Sequence, residues 1–167
     1  MNCPLDCPFL RQAHEREKGG HLDPKTMPNA DIQISEKFLE ENAEILELLA
    51  RSFFLASTET AGAVDYDVRE AMASLIQTYR TLQSGIYYEA RPQNLLAADI
   101  CAFVKGAIAE FSEHRKIRDA AILGILVFLQ RIELNQNNGR KKGRAFIDLL
   151  RKFFPEAAAA APSLLLA

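Results

Sequence analysis

The sequence contains no tryptophan, and its 167 residues include only three cysteines and three histidines. So few cysteines cannot form the disulfide framework that stabilises many small secreted domains, and they favour a reduced, cytoplasmic protein. Histidine is the commonest general acid or base, and two of its three occurrences, His14 and His21, fall in the irregular first part of the chain. The composition therefore gives no support to a histidine-based catalytic centre.

Long hydrophobic runs and an excess of one charge are also missing. The longest apolar stretch, residues 120–129, is too short to cross a bilayer of about 30 Å. The first twenty residues contain no apolar core of the kind found in a signal peptide. The formal net charge is −2, so the molecule as a whole does not attract nucleic acid. These absences predict a soluble, cytoplasmic protein with no membrane span.

The sequence motifs of common enzymes are absent as well. It has no G-x-S-x-G elbow, no P-loop, no G-x-G-x-x-G turn and no Glu-x-x-His pair of the carboxylate-bridged metal bundles. Glu40, Glu44 and Glu47 share one face of a predicted helix, but a solvated acidic face explains them better than a metal site without histidine partners. We therefore predict a non-enzymatic protein with no catalytic residue and no cofactor.

The chain does contain enough apolar material, 49% of its residues, for one compact core. Composition divides it into an irregular N-terminal arm (1–34), a helical bundle domain (35–155) and a low-complexity C-terminal tail (156–167). The arm holds four of the seven prolines and two adjacent glycines, which exclude a long helix there. The predicted fold is all-α, a bundle of about five helices that carries this arm.

Helical periodicity begins at Ser35, a residue type that caps helix N-termini. The first helix is predicted to run from there to a break at Gly62, and the second to begin near Asp65. The second helix carries a heptad pattern over residues 68–86, which demands a facing helix in the same chain or in a second copy. Its apolar positions are Val68, Met72, Leu75, Tyr79, Leu82 and Ile86.

Three further helices complete the predicted bundle. One starts at Pro92, because proline fits the first turn of a helix. Residues 118–134 are apolar almost all round and too long for a typical strand, which predicts a central buried helix in which Gly124 lets a neighbour approach closely. The last helix is predicted over residues 143–154 and stops at Pro155.

The arm contains the one set of residue types that suits zinc, namely Cys3, Cys7, His14 and His21. Successive members are separated by three, six and six residues. These spacings fall outside the usual zinc-finger ranges. We therefore predict that the arm binds no metal, and a small metalloprotein stays the third alternative.

The most distinctive polar feature is a cluster of cations, residues 140–152, which we call the basic corner. It contains Arg140, Lys141, Lys142 and Arg144 around the predicted start of the last helix, and Arg151 further along that helix. Residues 136–154 hold six cations and one anion, net +5, whereas residues 35–70 hold nine anions and three cations, net −6. The basic corner can therefore be solvated, paired with the acidic region, or joined with free helix amides into an anion-binding site.

These observations predict a non-enzymatic interaction or regulatory module that binds a protein partner or a second copy of itself. The alternative is a nucleic-acid- or other anion-binding protein that uses the basic corner. No aromatic residue interleaves the cations of the basic corner, and no nucleic-acid-reading motif surrounds them. The interaction module is therefore preferred.

Overall fold

The computed structural model describes residues 29–86, 88–136 and 143–155, so most of the predicted arm and the predicted tail lie outside the described residues. Within these ranges the secondary structure consists of helices without strands, which confirms the all-α bundle. The helices in chain order are α1 (Glu36–Glu41), α2 (Ala43–Glu59), α3 (Asp65–Gln83), α4 (Leu95–His114), α5 (Asp119–Gln136) and α6 (Ala145–Phe153).

Helix α5 occupies the centre of the bundle. All residues from 121 to 133 are buried, which confirms the central helix predicted from the apolar run. Helix α3 packs against α5 and α4, while α2 packs against α4, α5 and α6. The largest side chains of the core include Phe53, Phe54, Phe128 and Phe146, which are fully buried. Burial of each such ring contributes about 1.5–3 kcal/mol to folding.

The Phe38 side chain of α1 lies against α5 at Gly124, where the sequence predicted that a neighbour approaches closely. A Cβ atom built on Gly124 would lie 2.4 Å from Cζ of Phe38, far inside ordinary contact distance. The Phe38 ring therefore packs directly on the bare backbone of α5. The sequence indicated the position of this contact but not the residue that makes it.

The first predicted helix is interrupted at Asn42, which separates α1 from α2. The Asn42 side-chain amide donates to the carbonyl oxygen of Phe38 at 2.9 Å, as does its backbone N–H at 3.0 Å. Asparagine readily leaves helical geometry because its side chain competes for backbone groups. The predicted N-cap is confirmed, since Oγ of Ser35 accepts from the N–H of Phe38 at 3.0 Å.

The heptad pattern on α3 faces the interior of the same chain over its first half. Val68, Met72 and Leu75 are fully buried, and the next two positions are half-buried. The helix does not extend to Ile86, because it ends at Gln83, and the Ile86 side chain is 66% exposed in the single chain. Gly85 adopts φ +85° and ends α3 with the N–H of Ile86 bonded to the Thr81 carbonyl at 3.1 Å, a Schellman-type turn.

Helix α4 begins later than predicted. Its first residue is Leu95 rather than Pro92, because Oδ1 of Asn94 accepts from the N–H of Leu96 at 2.9 Å and caps the helix there. The connection before it is held beside α3: the N–H of Ala90 donates to Oγ1 of Thr78 at 3.0 Å. Helices α3 and α4 are thereby fixed side by side.

Candidate functional site

The basic corner is described only in part. Arg140, Lys141 and Lys142 lie outside the described residues, whereas Arg144 and Arg151 are exposed to solvent at the two ends of α6. Nη1 of Arg151 lies 3.8 Å from Oδ1 of Asp148, a loose pair on the helix surface. The opposite face of α6 is buried in the core through Phe146, Ile147, Leu149 and Leu150. The anion-binding role of these cations stays a prediction.

The backbone amides at the start of α6, which an anion site would use, are already bonded to the protein's own Asp65. Its carboxylate accepts from the N–H of Phe146 at 2.8 Å and from the N–H of Ile147 at 3.1 Å. Its backbone N–H in turn donates to the carbonyl of Gly143 at 2.9 Å. Burial raises the pKa of Asp65, although the two amide bonds oppose this shift. Asp65 therefore acts as a remote cap that fastens α6 to α3.

Two other buried carboxylates also maintain the bundle. Glu133, which is fully buried on α5, accepts from Nε of Arg69 at 2.7 Å and from Nη2 at 3.0 Å. Asp67 accepts from the N–H of Val64 at 2.9 Å and from the side-chain amide of Asn94. Burial is the largest cause of the raised pKa of Glu133, and Arg69 opposes it. The pair of Glu133 and Arg69 joins α3 to α5, and the bond between Asp67 and Asn94 joins α3 to α4.

The acidic region contributes an ion pair elsewhere in the bundle. Glu44 pairs with Nη1 of Arg115, just beyond the end of α4. Among the described residues no group of three potential metal ligands converges, and Cys3, Cys7, His14 and His21 lie outside them. Burial raises the pKa of the Cys101 thiol, which keeps it protonated and weakly nucleophilic.

A different polar site lies where the chain enters the bundle. Residues 29–34, which we call the strap, precede α1 and lie on α3 and α5. The guanidinium of Arg80 donates to both oxygens of Asp31, at 3.2 and 2.9 Å, and to Oδ1 of Asn29 at 3.2 Å. Arg80 lowers the pKa of the Asp31 carboxyl through these bonds. One arginine therefore fixes an acid and an amide that are two residues apart.

Helix α5 holds the same strap through two adjacent polar residues. Oε1 of Gln130 accepts from the side-chain amide of Asn29 at 3.0 Å. Nη2 of Arg131 donates to the backbone carbonyls of Asn29 and Ile32, at 3.1 and 2.6 Å. Both side chains are buried. We call Arg80, Gln130 and Arg131 the strap surface.

Apolar contacts and free space surround the strap surface. Ile32 and Ile34 of the strap pack against the hydrophobic core. Two open cavities of about 390 and 330 Å³ adjoin Arg80 and Thr81. The strap surface thus offers a charged group and donors to backbone carbonyls, with apolar packing and open space beside it.

Sequence reasoning missed this site. Its signal is the polar pair Gln130 and Arg131 directly after the longest apolar run and still within the buried segment 118–134, where a purely structural helix would place hydrophobic residues. The partners of the pair are about 100 residues away in sequence, so periodicity cannot reveal them.

Comparison with known proteins gives no match to a family model, to a curated protein or to a solved structure. Within the described ranges, no helix combines the length and the apolar character needed to cross a membrane. Functional inference therefore depends on the geometry of this chain alone.

Proposed function

We propose that the protein is a non-enzymatic interaction module that binds a turn-forming segment of a partner protein at the strap surface. The observation that carries the proposal is the way in which Arg80, Gln130 and Arg131 hold residues 29–34. They contact a carboxylate, an amide side chain and two backbone carbonyls. Residues 29–32 form a turn closed by the bond from the N–H of Ile32 to the carbonyl of Asn29 at 2.9 Å. Bonds to its main chain would provide affinity, and contacts with its side chains would provide specificity.

The chemistry of the remaining described residues supports a binding function over catalysis. The buried carboxylates Asp65, Asp67 and Glu133 each bond to a group that fixes one helix to another. A catalytic acid or base must instead be able to reach a reacting group. The scarcity of cysteine supports a reduced, cytoplasmic location as part of the same proposal.

A labelled peptide with the sequence of residues 29–35 tests the proposal. The receptor is the full chain with Asp31→Lys, in which the strap loses its bonds to Arg80 and leaves the strap surface more readily. We expect saturable binding below about 1 mM by fluorescence anisotropy. Adding Arg80→Ala should weaken binding about fivefold, because a two-bonded arginine–carboxylate contact at a surface is worth about 1 kcal/mol.

Circular dichroism of each variant establishes that the helices are retained. Absence of saturable binding to the folded Asp31→Lys protein would overturn the proposal. A second copy of this chain is the alternative source of the bound segment. In that case sedimentation should show a concentration-dependent dimer of the wild-type protein.

Binding of an anionic partner at the basic corner is the second candidate function. Exposure of Arg144, Arg151 and Lys152 on the outer face of α6 favours it. If single-stranded nucleic acid binds there, affinity should fall steeply with salt, because counterions are released. The pair Lys142→Glu and Arg144→Glu should then abolish binding and change stability by less than about 0.5 kcal/mol. Absence of binding at low salt would exclude this candidate.

A further inference from the structure

We propose that the strap is an internal competitor: residues 29–34 occupy the strap surface in the resting protein, and a partner segment of similar chemistry replaces them. This inference rests on the proposed function, because it presupposes that the strap surface binds partner segments. Beyond that function, the strap occupies the strap surface itself, and the partner carries the same amide, carboxylate and carbonyl groups as the strap.

The outer part of the strap is weakly attached. The side chains of Asp31 and Arg80 are 65% and 39% exposed, so solvent screens their ion pair. The strap therefore has an edge at which an incoming segment can begin to replace it.

The inner part of the strap surface cannot remain empty at low cost. Gln130 and Arg131 are 6% and 7% exposed, and the strap provides partners for both side chains. Removing a partner from a buried polar group is unfavourable unless water or another polar group replaces it. Exchange of one segment for another preserves these bonds, whereas simple opening of the strap does not.

The contacts define the partner by its chemistry. It is a turn-forming segment with an amide side chain to face Gln130 and Arg80, and with a carboxylate two residues later to face Arg80. Its main-chain carbonyls accept from Arg131, and an aliphatic residue follows the acid, in the place of Ile32. The cavities beside Arg80 leave room for neighbouring side chains that are larger than those of the strap.

Self-occupation should reduce the apparent affinity of the wild-type protein. A closed strap leaves the binding-competent state populated at about 1–10%, so the apparent dissociation constant rises about 10- to 100-fold. The closed strap is favoured over a separate segment because it belongs to the same chain, which gives it an effective concentration in the millimolar range at the strap surface.

The experiment compares three full-length receptors with the labelled peptide of residues 29–35: wild type, Asp31→Lys and the matched control Gln33→Lys. Gln33 is an exposed strap residue. We expect Asp31→Lys to bind about fivefold more tightly than wild type, because it removes a surface arginine–carboxylate contact worth about 1 kcal/mol, and Gln33→Lys to bind like wild type. Equal binding by wild type and Asp31→Lys would overturn self-occupation and leave the proposed function intact. Binding by none of the three would overturn both.

A charge exchange tests which group of the partner faces Arg80. Arg80→Asp should lose binding of the native peptide and gain binding of a peptide that carries Asp31→Arg. Loss of binding without this gain would overturn the assignment of the carboxylate to Arg80. Hydrogen exchange adds a readout in the wild-type chain: saturating peptide should speed exchange at the N–H of Ile32, which bonds to the carbonyl of Asn29 at 2.9 Å. Unchanged exchange at saturation would count against displacement.

Discussion

Substitution of Gly124 by alanine should destabilise the protein, although the same change stabilises most helices. The new methyl group would lie 2.4 Å from Cζ of Phe38 and 2.8 Å from Cε2. The ring would have to retreat by about 1 Å to reach an ordinary contact distance of about 3.5 Å. Overpacking of this kind costs about 1–3 kcal/mol, and the gain in helix propensity offsets about 0.5–1 kcal/mol of it. We expect a net loss of about 0.5–2 kcal/mol in the free energy of unfolding.

Gly106 on α4 provides the matched control. A Cβ atom built there meets no atom within 4 Å, and the residue is exposed. Gly106→Ala should therefore stabilise the protein by about 0.5–1 kcal/mol. Urea denaturation followed by circular dichroism measures both variants, with the slope of the transition serving as a check on two-state unfolding.

A shorter side chain at position 38 should separate the clash from other effects. In the Gly124→Ala background, Phe38→Leu should cost less than it does in the wild type, with a coupling of about 1 kcal/mol. If Gly124→Ala proved as stabilising as Gly106→Ala, the close contact between α1 and α5 would be refuted. Additive effects of Gly124→Ala and Phe38→Leu on the free energy of unfolding would refute it as well.

Three further predictions concern the interior. Asp65→Ala should cost about 2 kcal/mol and speed hydrogen exchange in α6, because two buried amides lose their acceptor. Burial raises the pKa of Glu133 above its ordinary value of 4.5, so above that pH the native state holds a proton that the unfolded state releases, and the melting temperature should fall as the pH rises. Glu133→Gln removes this titration and should make the fall smaller. Leu75→Glu should abolish folding, measured by circular dichroism and sedimentation, because it buries a charge at a fully buried position.

Each of these predictions has a defined contrary result. Asp148→Ala is the control for Asp65→Ala, and as an exposed substitution it should change stability by less than about 0.5 kcal/mol; equal effects would refute the remote cap. Unchanged pH dependence in Glu133→Gln would refute the raised pKa of that carboxyl. A folded Leu75→Glu monomer obtained from a wild-type dimer would place the heptad pattern between chains instead of within one.

Periodicity and local capping were sufficient to predict most of the helices from sequence. The apolar run of α5 and the cap at Ser35 depend on neighbours within a few residues, so they can be recognised without the fold. The errors also have local causes. Asn42 leaves the helix through its own side chain, Gly85 ends α3 before Ile86, and Asn94 caps α4 after Pro92.

Tertiary structure alone decided which charged groups meet. Asp65 bonds to amides 81 and 82 residues away, and Arg131 bonds to carbonyls about 100 residues away. A buried charge is stable only where another part of the chain supplies its partner, and such pairs leave no periodic trace in the sequence. The sequence therefore determined the helices and the helical face that each one buries. Packing determined that the α6 amides bind Asp65 and that the polar pair on α5 holds the strap.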